Sequence, residues 1–171
     1  MVADLENNIG TGVVLVVLVL FVTMGLRNAL FVGAAIPLSM LLTFVVVQLA
    51  GMTLNMMVLF SLVLAVGMLV DNSIVVLESI FQKKQQGLPL YRAVIDGTAE
   101  MGPAVSASTL TTVAVFLPIV FVEGVAGQLF KDQALTVSIA LLISLVVSLT
   151  LIPMLSSLKA NAPMAFAEEP V

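Results

Sequence analysis

The 171-residue sequence has no cysteine and no histidine. Disulfides, thiol chemistry, haem attachment and Cys/His zinc sites are thereby excluded. Charge is almost as scarce: 9% of the residues are charged and 61% are hydrophobic, where soluble domains carry about 25% charged residues. No basic block and no interleaving of aromatic with basic side chains offers a surface for nucleic acid. Neither enzymatic activity nor a bound cofactor or metal is expected. What is left is a composition that belongs in a bilayer, with a mean hydropathy of +1.23. Residues 1–9 are polar and acidic and hold no lysine or arginine, unlike the basic start of a secretory signal. The apolar run behind them is expected to be a membrane segment in its own right.

Five apolar runs follow one another, at about residues 9–26, 29–50, 54–77, 103–122 and 134–155. Each approaches the ~20 residues that an α-helix needs to cross a bilayer. Arg27-Asn28 and Gly51-Met52-Thr53 are tight turns between the first three. The second run holds Gly33, Ala34, Ala35 and Pro37; small residues permit close helix approach, and a membrane proline is tolerated where neighbours satisfy the freed carbonyl. The stretch Gln82 to Gly87 is the first strongly polar loop. In residues 88–101, Arg92, Asp96 and Glu100 recur every fourth residue among apolar ones. That pattern predicts an amphipathic helix along the membrane interface, with Arg92–Asp96 as an i,i+4 ion pair. Residues 122–132 read as a loop, and residues 159–171 are small, polar and acidic and are expected to be disordered. The predicted fold is an all-α membrane protein, a bundle of five transmembrane helices plus one interfacial helix within residues 1–158. Arg27, Lys83, Lys84, Arg92 and Lys159 fall on one side and Lys131 on the other. The positive-inside rule then puts the N-terminus outside and the C-terminus in the cytoplasm.

Asp71 interrupts the third run near its middle. An ionised Asp at the centre of a membrane helix costs roughly 2.5–3.5 kcal/mol on insertion scales, and such residues mostly serve transport or proton transfer. Removal from water favours the neutral form of a carboxyl group and a nearby cation favours the ionised form. A carboxylate that alternates between the two surroundings can load and release a proton, and Asp71 is the candidate for that role. No Lys or Arg lies inside any apolar run to serve as its counter-charge. Glu78, seven residues on, shares its helix face, as does Gly67, which leaves room for a neighbouring helix or water. Glu78 reads as a helix-end carboxylate. Asn72 points about 100° away and can hydrogen-bond across to a neighbour, but it cannot hold a proton. In the fourth run Ser106, Ser108, Thr109, Thr111 and Thr112 form either a polar wall towards Asp71 or, the favoured reading, hydroxyls bonded to their own helix. Ser106 and Thr109 are kept with Asn72 and Glu78 as possible supporting residues. The ten methionines, Met56, Met57 and Met68 among them, lack a ligand spacing and read as apolar filling.

Three words carry a resemblance to a known family. They are Leu69-Val70-Asp71-Asn72-Ser73-Ile74-Val75-Val76-Leu77-Glu78, then Gly87-Leu88-Pro89 with Ala93, and Ser106-Ala107-Ser108-Thr109-Leu110-Thr111-Thr112-Val113-Ala114-Val115-Phe116-Leu117-Pro118. With Ser144 to Pro153 behind them, the chain resembles the resistance–nodulation–division superfamily, and within it the hydrophobe/amphiphile exporters of Gram-negative inner membranes. The resemblance runs from about Leu5 to Leu158. It implies proton-driven multidrug or amphiphile efflux from the bacterial inner membrane by trimers with twelve membrane helices. Many of these work with a periplasmic adaptor and an outer-membrane channel. It implies the role of the helix-four acid for Asp71, with Asn72 where many drug exporters have a second Asp. Relatives with a single acid at this site include metal exporters. By order of segments the chain matches helices two to six of the first half, and the family's partner lysine belongs to the second half. The expectation is therefore a partial chain that does not transport alone. The competing readings are a non-transporting membrane scaffold that packs through small-residue faces, and a metal-exporting or protein-translocating relative.

Overall fold

The computed structural model describes residues 2–53 and 55–157, and these form five α-helices: α1 (Val2–Met24), α2 (Leu26–Leu49), α3 (Met56–Gln85), α4 (Leu90–Val120) and α5 (Val125–Ser157). Each of the four connections turns on a glycine with positive φ: Gly25, Gly51, Gly87 and Gly124. At Gly25 this single residue is the whole link between two helices. No strand occurs among the described residues. Four helices are long and apolar enough to cross a membrane: Ala29–Leu49, Met56–Gln85, Leu90–Val120 and Gly127–Ser157. In α1 the apolar stretch is the shorter Gly10–Val22. The protein is an all-α, multi-pass membrane protein. The predicted disordered tail lies outside the described residues.

At the centre stands α3, which packs against all four other helices, and α5 lies between α2, α3 and α4. The interior is built from Val58, Leu62, Ala65, Leu69 and Val76 of α3, Val137, Ala140 and Ile152 of α5, and Val32, Ala35 and Ile36 of α2, all nearly or fully buried. Lipid tails are as apolar as leucine, so close packing and interhelical hydrogen bonds rather than water exclusion hold such helices together. Small residues set how near they come. A Cβ on Gly97 would stand 2.9 Å from the Ile80 Cα and 2.9 Å from its N, so α4 crosses α3 with backbones touching there. The Ser79 hydroxyl uses that closeness to donate to the Gly97 carbonyl at 3.1 Å.

Between α3 and α5 run two hydrogen bonds of nearly equal sequence offset. Asn55 Nδ2 donates to Asp132 Oδ2 at 2.8 Å, and Ser144 Oγ donates to the Leu69 carbonyl at 2.8 Å. Equal offsets are the mark of two helices running parallel. Asn55 also caps α3: its Oδ1 accepts from the Val58 N–H at 2.9 Å, satisfying one of the orphan donors of the first turn.

Besides the turn expected at Arg27-Asn28, which falls at Gly25 with both residues inside α2, two expectations about segment boundaries change. The interfacial helix of residues 88–101 and the span of residues 103–122 are one continuous helix, α4, with Pro103 inside it. A proline removes one backbone hydrogen bond, here to the Ala99 carbonyl, but need not end a helix whose neighbours hold both sides. The Gly97–Ile80 contact holds the amphipathic part along α3. At 31 residues, α4 is about 46 Å long at ~1.5 Å per residue, against ~30 Å of hydrocarbon. Second, α5 begins at Val125 rather than near residue 134, so Lys131 and Asp132 are helical. The ion pair found among the described residues is Lys83–Glu100 at 2.6 Å, across the α3–α4 turn, instead of Arg92–Asp96.

Candidate functional site

Asp71 is the sixteenth of the thirty residues of α3, so it sits at the helix midpoint. Residues 58, 62, 65, 66, 69, 70, 73, 76 and 77 turn into the bundle and are buried. The opposite stripe, Phe60, Leu64, Gly67, Asp71, Val75 and Glu78, is exposed and faces away from the other four helices. The shared face predicted for Gly67, Asp71 and Glu78 is thus present, and it points out of the five-helix body. A Cβ at Gly67 would meet nothing within 4 Å, so one helical turn before the carboxylate there is space at the backbone surface. Among the described residues no hydrogen bond or ion pair engages Asp71, and no Lys or Arg lies within the central part of any span. An ionised group at this depth needs a cation or water from outside these five helices.

The neighbouring polar residues divide into two sets. Thr109 is buried, and its Oγ1 donates to Asn72 Oδ1 at 3.2 Å, tying α4 to the turn of α3 that carries Asp71. Thr111 and Thr112 instead donate to the Ala107 and Ser108 carbonyls of their own helix, at 2.8 and 3.0 Å. Two hydroxyls of the fourth run thus bond to their own helix and one reaches across to α3. Ser106 is half-buried on α4. Glu78 is exposed and accepts from Gln82 Nε2 at 3.4 Å, one turn away on its own helix. The structure brings Asn72 and Thr109 together and leaves Asp71 and Glu78 on the open face.

Three residues for which no role at the site was expected also bond to or cap this helix: Asn55, Asp132 and Ser144. Asn55 carried a signal, because an Asn directly before an apolar run is a helix cap. Asp132 and Ser144 lie 77 and 75 residues from their partners, and no local pattern announces a contact at that separation.

Among the described residues of this multi-pass helical membrane protein, Asp71 is the ionisable group at mid-helix, and it faces outward from the packed core. Residues 1–164 match the family model described as the AcrB/AcrD/AcrF family, and the chain belongs to that family within the resistance–nodulation–division superfamily. It is 40% identical over 154 residues to the multidrug resistance protein MdtC of Pectobacterium carotovorum, covering 90% of this chain and 15% of that protein. The MdtC proteins of Salmonella arizonae and of Escherichia coli are each 40% identical over 163 residues, which is 94% of this chain and 16% of theirs. The chain thus spans about one sixth of the length of these relatives.

Proposed function

We propose that this chain is the proton-handling membrane part of a multidrug or amphiphile efflux transporter, with Asp71 as the group that carries the proton. The observation behind this reading is the placement of Asp71: mid-helix, next to the unfilled surface of Gly67, on the one face of α3 that its own bundle does not cover. Relatives bearing the name multidrug resistance protein supply the transport side of the proposal.

The chemistry required is small. One proton binds the Asp71 carboxylate from one side of the membrane, and the neutral carboxylic acid tolerates a dry surrounding. Loss of the proton to the other side restores a carboxylate, which needs a cation or water. Asn72 takes no proton and is held by Thr109, so one acid performs the cycle and its neighbour ties α3 to α4. A change in the charge of Asp71 therefore alters which partner the open face of α3 prefers, while the buried face stays packed. The counter-charge comes from a segment outside these five helices, as does the substrate pocket. A trimer with a periplasmic adaptor and an outer-membrane channel is the assembly that the family resemblance suggests for a whole transporter. In that setting the N-terminus of this chain is periplasmic and its C-terminus cytoplasmic.

The test is substitution in the transporter that carries this segment. Asp71→Asn removes the titrating group with almost no change in shape. Proton-driven export should fall to background while the amount of protein in the membrane is unchanged. Asp71→Glu, which keeps a carboxylate, should retain part of the activity. Export by Asp71→Asn at the native rate would remove Asp71 from the mechanism.

A further inference from the structure

The helix that bears Asp71 is fastened to α5 at two levels. At its outer end the half-buried Asn55 spends its two side-chain atoms on different helices: Oδ1 caps α3 at the Val58 N–H, and Nδ2 reaches Asp132 of α5. Fourteen residues further along α3, Ser144 of α5 donates to the Leu69 carbonyl, two residues before Asp71. The upper link is the charge-assisted one, since an ionised carboxylate accepts more strongly than a neutral oxygen. Along an α-helix the turns are stiff, so the height of the cap and the height of Asp71 change together. A slip of α3 by a single residue would move Asp71 by about 1.5 Å and rotate it by about 100°, taking it off the open face.

We infer that Asp132 is a positioning residue for proton coupling: through Asn55 it fixes the height and rotation of α3, and hence where Asp71 stands against its counter-charge. This rests on the proposed proton role of Asp71. The Asp132 carboxylate serves as an acceptor, and a neutral acceptor of the same shape can replace it in part. The two atoms of Asn55 can also be separated experimentally, because serine caps a helix as well as asparagine does but has no amide to offer Asp132.

Three substitutions in the transporter carrying this segment make the test, read as proton-driven export per inserted protein. Asp132→Ala removes the acceptor and should lower export by about tenfold, the factor that one charge-assisted hydrogen bond represents. Asn55→Ser keeps the cap, loses the link and should match Asp132→Ala, and the double variant should be no worse than either. Asp132→Asn keeps an acceptor oxygen without its charge and should fall between Asp132→Ala and the native protein. Native export by Asp132→Ala would overturn the assignment, and so would equal impairment of Asp132→Asn and Asp132→Ala, which would make the charge itself the requirement. A second readout does not depend on Asp71. The chain has no native cysteine, so spin labels can be placed at Leu64→Cys on α3 and Leu142→Cys on α5, both exposed. Their distance distribution in bilayers should shift or broaden by about 1.5 Å or more in Asp132→Ala and stay closer to native in Asp132→Asn. An unchanged distribution in Asp132→Ala overturns the positioning role. If the labels move as expected but Asp71→Asn exports normally, the proton role of Asp71 fails while the α3–α5 clamp stands.

Discussion

Replacing Gly97 by alanine puts a single methyl group at the tightest backbone contact between α3 and α4. That methyl carbon would lie 2.9 Å from the Cα and from the N of Ile80 and 3.1 Å from the Ser79 carbonyl carbon. Backbone atoms cannot swing aside as a flexible side chain does, so the helices must separate by several tenths of an ångström. Overpacking of this kind costs about 1–3 kcal/mol. The same movement stretches the Ser79–Gly97 hydrogen bond, already 3.1 Å long, which stands for up to about 1 kcal/mol more. Against this, alanine is a better helix former than glycine by roughly 0.8–1.0 kcal/mol. Gly67→Ala supplies the control, since it gains the same propensity in the interior of α3 and its methyl meets nothing within 4 Å. The informative quantity is the difference between the two variants, in which propensity cancels. Gly97→Ala should be less stable than Gly67→Ala by about 1–4 kcal/mol, the sum of the overpacking and hydrogen-bond costs. Unfolding in mixed micelles titrated with a denaturing detergent measures it. Equal stabilities would show that α3 and α4 do not touch at this crossing. Twelve residues up α4 from Gly97, or about 18 Å, lies Thr109, and a splayed crossing should also loosen its bond to Asn72.

Two further expectations concern that bond and the orientation. Thr109→Val keeps the shape of the side chain and removes its hydroxyl; with interhelical hydrogen bonds in membranes averaging ~0.6 kcal/mol and reaching ~1.7, the loss in the same micelle titration should be about 0.5–1 kcal/mol, and Thr109→Ser should restore it. A loss above about 2 kcal/mol, outside that range, or none at all, would contradict a weak Asn72–Thr109 link. A cysteine introduced at Gln86, in the turn between α3 and α4, should resist an impermeant thiol reagent added outside intact cells and react once the membrane is opened, and labelling from outside would reverse the orientation.

The Asp71 helix could be read from sequence because its signals are local: a long apolar run, a lone carboxylate at its centre, and a seven-residue step to Glu78 that fixes a shared face. The division of α4 could not. Gly102-Pro103 carries the usual marks of a helix break, and the helix continues through it where α4 packs against α3 at Gly97–Ile80 and against α5 near Leu149. Lys131 and Asp132 resembled a loop because they are charged, yet Asp132 has a partner 77 residues away that makes a helical place for it. In place of the expected Arg92–Asp96 pair, Glu100 pairs with Lys83 of the neighbouring helix. Each miss is a tertiary contact overriding a local pattern.

The outward face of Asp71 also bears on how the protein is made. Helices enter the bilayer before their final neighbours are in place, so Asp71 must be tolerated uncovered for a time. Between Val58 and Val76 stand twelve Val, Leu, Ile and Phe residues, each favouring insertion by roughly 0.3–0.6 kcal/mol. Together they supply about 4–7 kcal/mol, more than the roughly 2.5–3.5 kcal/mol that one central aspartate costs. On these terms the apolar residues of the third helix offset the cost of an uncovered Asp71 in lipid before its neighbours are in place.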